Sequence, residues 1–342
     1  MKSVFWGNYK GGVAKTTSAF QVAGHFALNR KKVLLIDLDP QCSLSNICSR
    51  GGLNTELEGF CVDKTLNYIL ELYLREINSN NKFPFQLLTG KTDSIVRENL
   101  KQTIQKFTNP SLKNHPLHFI PSSLVFINSR INELAQFMSG NIHNIFLVKQ
   151  FLNDVQDIGT DDEYKYDYVF FDCPPTTNML TQSVFLASDY YIIPTICDEV
   201  STKGVPDYIV EIEKTRNKYS LNDQIRGVLI EKVFPYESKS KLIGVFETLY
   251  KERRGSRANA HVIQNLDHGI SQINEVDSVI SAPQFESDRY NGQDGITTKN
   301  IFYESIDNRD ARLSGESVPR NTANAIITEE YKNLALMILK MI

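Results

Sequence analysis

Long hydrophobic runs are the plainest absence in this sequence. No stretch approaches the ~18 consecutive apolar residues that cross a bilayer, which excludes a membrane-spanning helix. No basic segment followed by an apolar run and small residues opens the chain, so no secretory leader is expected. Cysteine is scarce: Cys42, Cys48, Cys61, Cys173 and Cys197 are odd in number and lack C-x-x-C spacing. That pattern argues against a disulfide framework and for a reduced, cytoplasmic setting. An excess of positive charge is also missing. At a formal net charge of −3 the chain is not built to coat DNA in bulk, so any DNA contact must be local. The composition does supply a core: 342 residues, 41% of them hydrophobic, suffice for one large core or two smaller ones.

The most informative segment is Tyr9-Lys10-Gly11-Gly12-Val13-Ala14-Lys15-Thr16-Thr17. The apolar run Ser3-Val4-Phe5-Trp6 before it reads as a short buried strand. Ala19, Val22, Ala23, Phe26 and Ala27 after it recur at the i, i+3, i+4 spacing of one helix face. Strand, glycine-rich turn and helix together point backbone N–H groups and a helix N-terminus at an anion. Lys15 is placed to reach outer phosphates, and the Thr16 hydroxyl to ligate Mg²⁺. The ordinary pattern G-x-x-x-x-G-K-[ST] fails, because Tyr9 and Ala14 occupy its glycine positions. The pattern x-K-G-G-x-x-K-[ST] fits throughout. Its extra lysine, Lys10, lies on the part of the loop facing away from the helix, from where it can point across an interface. Ala14 is tolerable only where that position does not need a positive φ.

Two further strands end in carboxylates. Val33-Leu34-Leu35-Ile36-Asp37-Leu38-Asp39-Pro40-Gln41 reads as a parallel strand buried on both faces, with Asp37 and Asp39 at its carboxyl end. Two residues apart on a strand, they would point the same way. Tyr166-Asp167-Tyr168-Val169-Phe170-Phe171-Asp172-Cys173-Pro174-Pro175 has the form of a Walker B strand, whose terminal carboxylate holds Mg²⁺. Pro174 and Pro175 turn the chain out of the sheet. Apolar strands alternating with helical stretches predict an α/β fold, a doubly wound and mostly parallel sheet flanked by helices.

The two-lysine loop, D-L-D-P-Q and F-D-C-P-P together resemble the deviant phosphate loops of the ParA/MinD group, and D-P-Q resembles its ParA/Soj branch. Weaker likenesses are His118–Leu124, Tyr190–Thr195, Gly227–Ile230 and Glu330–Ala335. The resemblance implies a P-loop NTPase fold with ATP and Mg²⁺ as cofactors. It implies a nucleotide site of Lys10, Gly11, Gly12, Val13, Ala14, Lys15, Thr16 and Thr17. Mg²⁺ would be held by Thr16 and Asp172 with Asp37 supporting its shell, and Asp39 would orient the hydrolytic water. Lys15 would serve its own subunit's ATP and Lys10 the partner's, in a homodimer with ATP sandwiched between subunits. The implied activity is slow ATP hydrolysis stimulated by a ParB-like partner, in partition of plasmids or chromosomes or in cargo positioning. Non-specific DNA binding by the ATP dimer, and hence nucleoid association, belongs to the same expectation.

The chain is expected to be a single domain over residues 1–342 with insertions at about 51–115 and 282–299. The first should hold helices over Thr65–Leu74 and Ser94–Phe107; the second reads as a polar loop. The basic cluster Lys239, Lys241, Lys251, Arg253, Arg254 and Arg257 is the candidate for DNA phosphate contacts from a helix end. Two alternatives share the fold. A MinD-like membrane regulator would use the apolar stripe Leu334, Met337, Ile338, Met341 and Ile342. A small-molecule ligase or an electron-transfer ATPase would need a substrate motif or paired cysteines, whereas a ParA-like regulatory ATPase of another pathway would use the same switch.

Overall fold

The computed structural model describes residues 1–53, 57–79, 92–108, 112, 117–124, 130–196, 198–220, 232–235, 238–248, 257–273, 301–306 and 325–342. Among the described residues eight strands form one sheet: β1 (Lys2–Trp6), β2 (Val33–Asp37), β3 (Gln105–Lys106), β4 (Leu117–Ile120), β5 (Tyr168–Asp172), β6 (Tyr190–Thr195), β7 (Lys241–Thr248) and β8 (Ile301–Ile306). Their order is β3-β4-β2-β5-β1-β6-β7-β8, and only the β3–β4 pairing is antiparallel. This is the expected doubly wound, mostly parallel α/β sheet.

The helices are α1 (Lys15–Leu28), α2 (Ser43–Cys48), α3 (Leu66–Ser79), α4 (Ser94–Thr103), α5 (Ile131–Met138), α6 (Leu147–Ile158), α7 (Met179–Ala187), α8 (Glu199–Glu213), α9 (Thr215–Ser220), α10 (Arg257–Ser271) and α11 (Ala325–Met341). Alternation along each strand divides the core into two layers. Phe5, Leu34 and Ile36 pack on one face with α3 to α8, whereas Val4, Trp6, Val33 and Leu35 pack on the other with α1 and α11. Parallel strands covered on both faces must be apolar throughout, and all five residues of β2 are buried.

Several expectations change. The helix expected over Ser94–Phe107 stops at Thr103, and Gln105–Lys106 instead joins the sheet edge antiparallel to β4. The likeness at 227–230 and the loop expected at 282–299 lie outside the described residues; β7 lies beside β6. The C-terminal apolar stripe is not a membrane-facing surface. Tyr331, Leu334, Ala335 and Ile338 are buried against the layer holding α1, and Met337, Met341 and Ile342 pack on it. Exposing Leu334 and Ile338 would cost about 1.5–3 kcal/mol each, so α11 is an integral core helix. No helix among the described residues is long and apolar enough to cross a membrane. Cys42, Cys48, Cys61 and Cys173 are free thiols, and Cys197 lies outside the described residues.

Candidate nucleotide site

The site lies at the carboxyl ends of β1, β2 and β5, where open parallel sheets place ligands. The loop after β1 is anchored from three sides. The Gly7 N–H donates to the Ile192 carbonyl at 3.3 Å, and Asn8 Nδ2 to the Pro194 carbonyl at 2.8 Å. The Lys10 N–H donates to Asn8 Oδ1 at 2.9 Å, and Thr248 Oγ1 to the Val13 carbonyl at 3.0 Å. Any Cβ at Gly7 would run into the Phe5 ring and the Tyr208 hydroxyl, so glycine is required there. Tyr9 packs edge-on against buried Tyr208 at 4.5 Å between ring centroids.

Two positive-φ residues set the loop's shape. Gly12 has φ +73°, which glycine adopts without penalty. Ala14, the residue before α1, has φ +58°. The sequence reading required a position free of positive φ; the structure instead holds an L-residue in the left-handed region, at roughly 1–2 kcal/mol of strain. Space beyond Gly11 and Gly12 is open, since a Cβ at either would meet nothing within 4 Å.

The loop forms one wall of a cavity of about 810 Å³, within the range that holds nucleotide-sized ligands. Lys15, Thr16 and Thr17 line it with Asp39 and Pro174. Lys15 Nζ donates to the Lys10 carbonyl at 3.2 Å. Burial lowers the Lys15 pKa, while the carboxylates of Asp172 and Asp39 pull it back up.

The three aspartates are held differently. Asp37 ends β2 and is 1% exposed; its Oδ2 accepts from Ser45 N–H at 2.7 Å and Ser45 Oγ at 2.8 Å. Its Oδ1 accepts from Asp39 N–H at 3.1 Å. Burial pushes its carboxyl up to about 7 against those hydrogen bonds. Asp37 therefore braces the Asp39 backbone. Asp39 lies beyond the strand end and reaches the cavity, its Oδ1 accepting from Gln41 N–H at 2.9 Å.

Asp172 ends β5 in register with Asp37 and is fully buried, yet among the described residues neither carboxylate oxygen has a hydrogen bond of ordinary geometry. Burial and then the charge of Asp37 raise its pKa well above the ordinary value; the Thr16 hydroxyl and the Lys15 ammonium oppose them. A buried carboxylate without partners costs several kcal/mol unless a cation or proton meets it. Asp172 beside Thr16 therefore fits a hard divalent cation such as Mg²⁺.

Lys10 is separate from this group. Its ammonium pairs with Asp198, and it does not line the cavity. Asp198 also caps α8, its Oδ1 accepting from Ser201 N–H and Oγ at 2.9 Å each. Burial pushes the Asp198 carboxyl up, but the hydrogen bonds from Lys10 and Ser201 outweigh it and hold the pKa below its ordinary value. The sequence reading missed Asp198. Its D-E-V-S start has the form of an N-cap before a helix, but nothing local ties it to Lys10.

The profile of the AAA domain family matches residues 1–226. The chain belongs to that family. A virulence plasmid ParA family protein of Chlamydia psittaci is 28% identical over 73% of this chain and 77% of its own length. The chromosome-partitioning ATPase Soj of Treponema pallidum is 26% identical over 70% of this chain and 74% of its own. The match spans 66% of the length of an uncharacterized Pseudomonas putida relative. Among solved structures, cobyrinic acid a,c-diamide synthase from Mycobacterium smegmatis, with bound ATP analog and magnesium, superposes with a TM-score of 0.56 at 16% identity. That match covers 99% of this chain and 95% of the synthase, and it speaks to fold alone. Family and partition relatives agree with the two-lysine loop: the chain is a phosphate-loop ATPase of the ParA/Soj type.

Three of the six DNA candidates, Lys239, Lys241 and Arg257, fall among the described residues. Lys239 is only 12% exposed and pairs with buried Glu213 at 2.6 Å, which corrects its assignment as a mobile phosphate-contacting cation. Lys241 opens β7 rather than ending a helix. Arg257 opens α10, and Lys251, Arg253 and Arg254 lie outside the described residues.

Proposed function

We propose that this chain is an ATP-dependent dimerising switch with slow, partner-stimulated hydrolysis, acting in plasmid or chromosome partition or in cargo positioning. It would act as one domain, elaborated at about 51–115 and 282–299. The observation that carries this reading is the division between the two lysines. Lys15 lines the cavity, whereas Lys10 stands outside it, about a third exposed and paired with Asp198. A loop lysine that does not serve its own cavity is suited to a nucleotide held by a second subunit.

In this reading Lys15, Thr16, Thr17 and the loop N–H groups bind the ATP phosphates, and Asp172 with Thr16 holds Mg²⁺. That ion would neutralise developing charge on the phosphates. Asp39 orients the attacking water. Lys10 leaves Asp198 and reaches the partner's nucleotide, stabilising transition-state charge as an arginine finger does, an effect worth ~10³–10⁵ in rate. Two ATP molecules would be enclosed in the homodimer. Binding of ATP builds the dimer and a surface for non-specific DNA; hydrolysis dissolves both, with a ParB-like protein as the stimulating partner. A reduced, nucleoid-associated cytoplasmic location fits this role. The packing of α11 on the core disfavours the MinD-like membrane reading.

Lys10→Ala tests the reading directly. It should bind ATP with unchanged affinity, hydrolyse it at least ~100-fold more slowly and lose the ATP-dependent dimer in sedimentation. Full hydrolysis by a monomeric Lys10→Ala protein overturns the proposal. A DNA mobility shift that requires ATP supports the partition role over a small-molecule ligase.

A further inference from the structure

The turn after β4 connects the first insertion to the nucleotide site through buried hydrogen bonds. Ser122, 1% exposed, holds the end of β2 at two points. Its Oγ donates to the Asp37 carbonyl at 2.6 Å, and its N–H donates to Ser45 Oγ at 2.8 Å. Ser45 in turn gives both its N–H and its hydroxyl to Asp37 Oδ2, and Asp37 Oδ1 takes the Asp39 N–H. Displacing Ser122 therefore moves both the backbone and the carboxylate on which Asp39 rests.

The same turn is held from the other side by the insertion. The Leu66 N–H donates to the Pro121 carbonyl at 2.8 Å. Asn67, 1% exposed, makes a reciprocal pair with Ser123: Ser123 N–H donates to Asn67 Oδ1 at 2.9 Å, and Asn67 Nδ2 donates to the Ser123 carbonyl at 3.1 Å. Two amide-type bonds in opposite senses act like a rung of sheet ladder and fix the turn to the first residues of α3. From α3 to Asp37 the side-chain links are buried, and the last one, from the Asp39 N–H to Asp37 Oδ1, is partly buried. There, bonds are stronger than in water and an unmade bond is costly, so the chain resists slack.

We infer that Asn67, Ser122 and Ser45 are positioning residues for ATP hydrolysis, relaying the placement of insertion helix α3 to the water-orienting Asp39. This rests on the role proposed for Asp39, and the experiment separates the two. A partner that shifts the first turn of α3 would thereby change the hydrolysis rate without touching nucleotide.

The test measures kcat, ATP affinity and melting temperature for Ser122→Ala, Ser122→Thr, Asn67→Ala and Asp39→Ala. Ser122→Ala should lower kcat about tenfold, equivalent to about 1.4 kcal/mol, with ATP affinity within about twofold. Asn67→Ala should lower it severalfold, and Ser122→Thr, which keeps the hydroxyl, should recover most of the rate. Ser122→Ala added to Asp39→Ala should cause no further loss, because residues acting as a unit are non-additive. Parental kcat in both alanine variants overturns the relay. So does a joint fall of kcat, ATP affinity and melting temperature, or a full additional loss in the double variant. Should Ser122→Ala fail to fold, Asn67→Ala decides alone. Asp39→Ala hydrolysing at the parental rate instead removes the role of Asp39 itself.

Discussion

Asp37 and Asp172 end neighbouring parallel strands in register, both buried, yet the protein treats them in opposite ways. The β2 end is satisfied internally: Ser45 and the Asp39 N–H supply donors to both oxygens of Asp37. At the β5 end the Thr16 hydroxyl and the Lys15 ammonium favour the Asp172 charge, but among the described residues neither carboxylate oxygen has a hydrogen bond of ordinary geometry, which leaves its burial costly. Equal residues at equal sheet depth thus divide into a brace and a candidate partner for a cation. Burial alone does not make a carboxylate fit for a cation; burial with few hydrogen bonds from its own chain does.

The strongest way to break this contrast is Asp172→Asn. Mg²⁺-dependent hydrolysis should fall by at least ~100-fold, while the nucleotide-free protein melts at a higher temperature because a desolvated charge is gone. A lower melting temperature would show that Asp172 is satisfied after all. Asp37→Asn should act with the opposite sign on stability, since it disturbs three hydrogen bonds. Urea unfolding should register a loss of about 1–3 kcal/mol, and an unchanged midpoint would erase the distinction between the strand ends.

A third buried carboxylate extends the comparison away from the site. Asp154 accepts from Tyr73 at 2.6 Å and Thr92 at 2.7 Å, and burial, opposed by those bonds, raises it to about 6. With a folded pKa above the ordinary 3.8, its contribution to stability weakens as pH rises from about 4 to about 6. Burial lowers His118 from 6.5 to about 4, so its contribution weakens as pH falls through that window. The two slopes oppose. Asp154→Asn should make the protein lose more stability on acidification to about pH 4, and His118→Gln less; thermal melts across that range would show both. The smallest effect is expected at Ala14. Relief of its positive φ should let Ala14→Gly gain up to about 1 kcal/mol in chemical unfolding, partly offset by the greater freedom of glycine in the unfolded chain.

Local features were legible in the sequence. The loop from Tyr9 to Thr17, the acidic strand ends and the burial of β2 follow from residue order, because neighbours along the chain set turn geometry and side-chain alternation. The left-handed Ala14 was misread because the pattern gives residue types and not dihedrals. Asp198, Ser122 and Asn67 were invisible for another reason. Their decisive partners lie 188, 77 and 56 residues away in sequence, distances over which no periodicity speaks.

The sequence by itself determined that a phosphate loop with two lysines would sit at the end of a parallel sheet, since strand, turn and helix signals are short-range. Tertiary structure decided which aspartate is satisfied, where Lys10 rests and what braces Asp39. Those outcomes depend on which strands become neighbours, and a buried polar group is satisfied only by what the fold brings within about 3 Å of it.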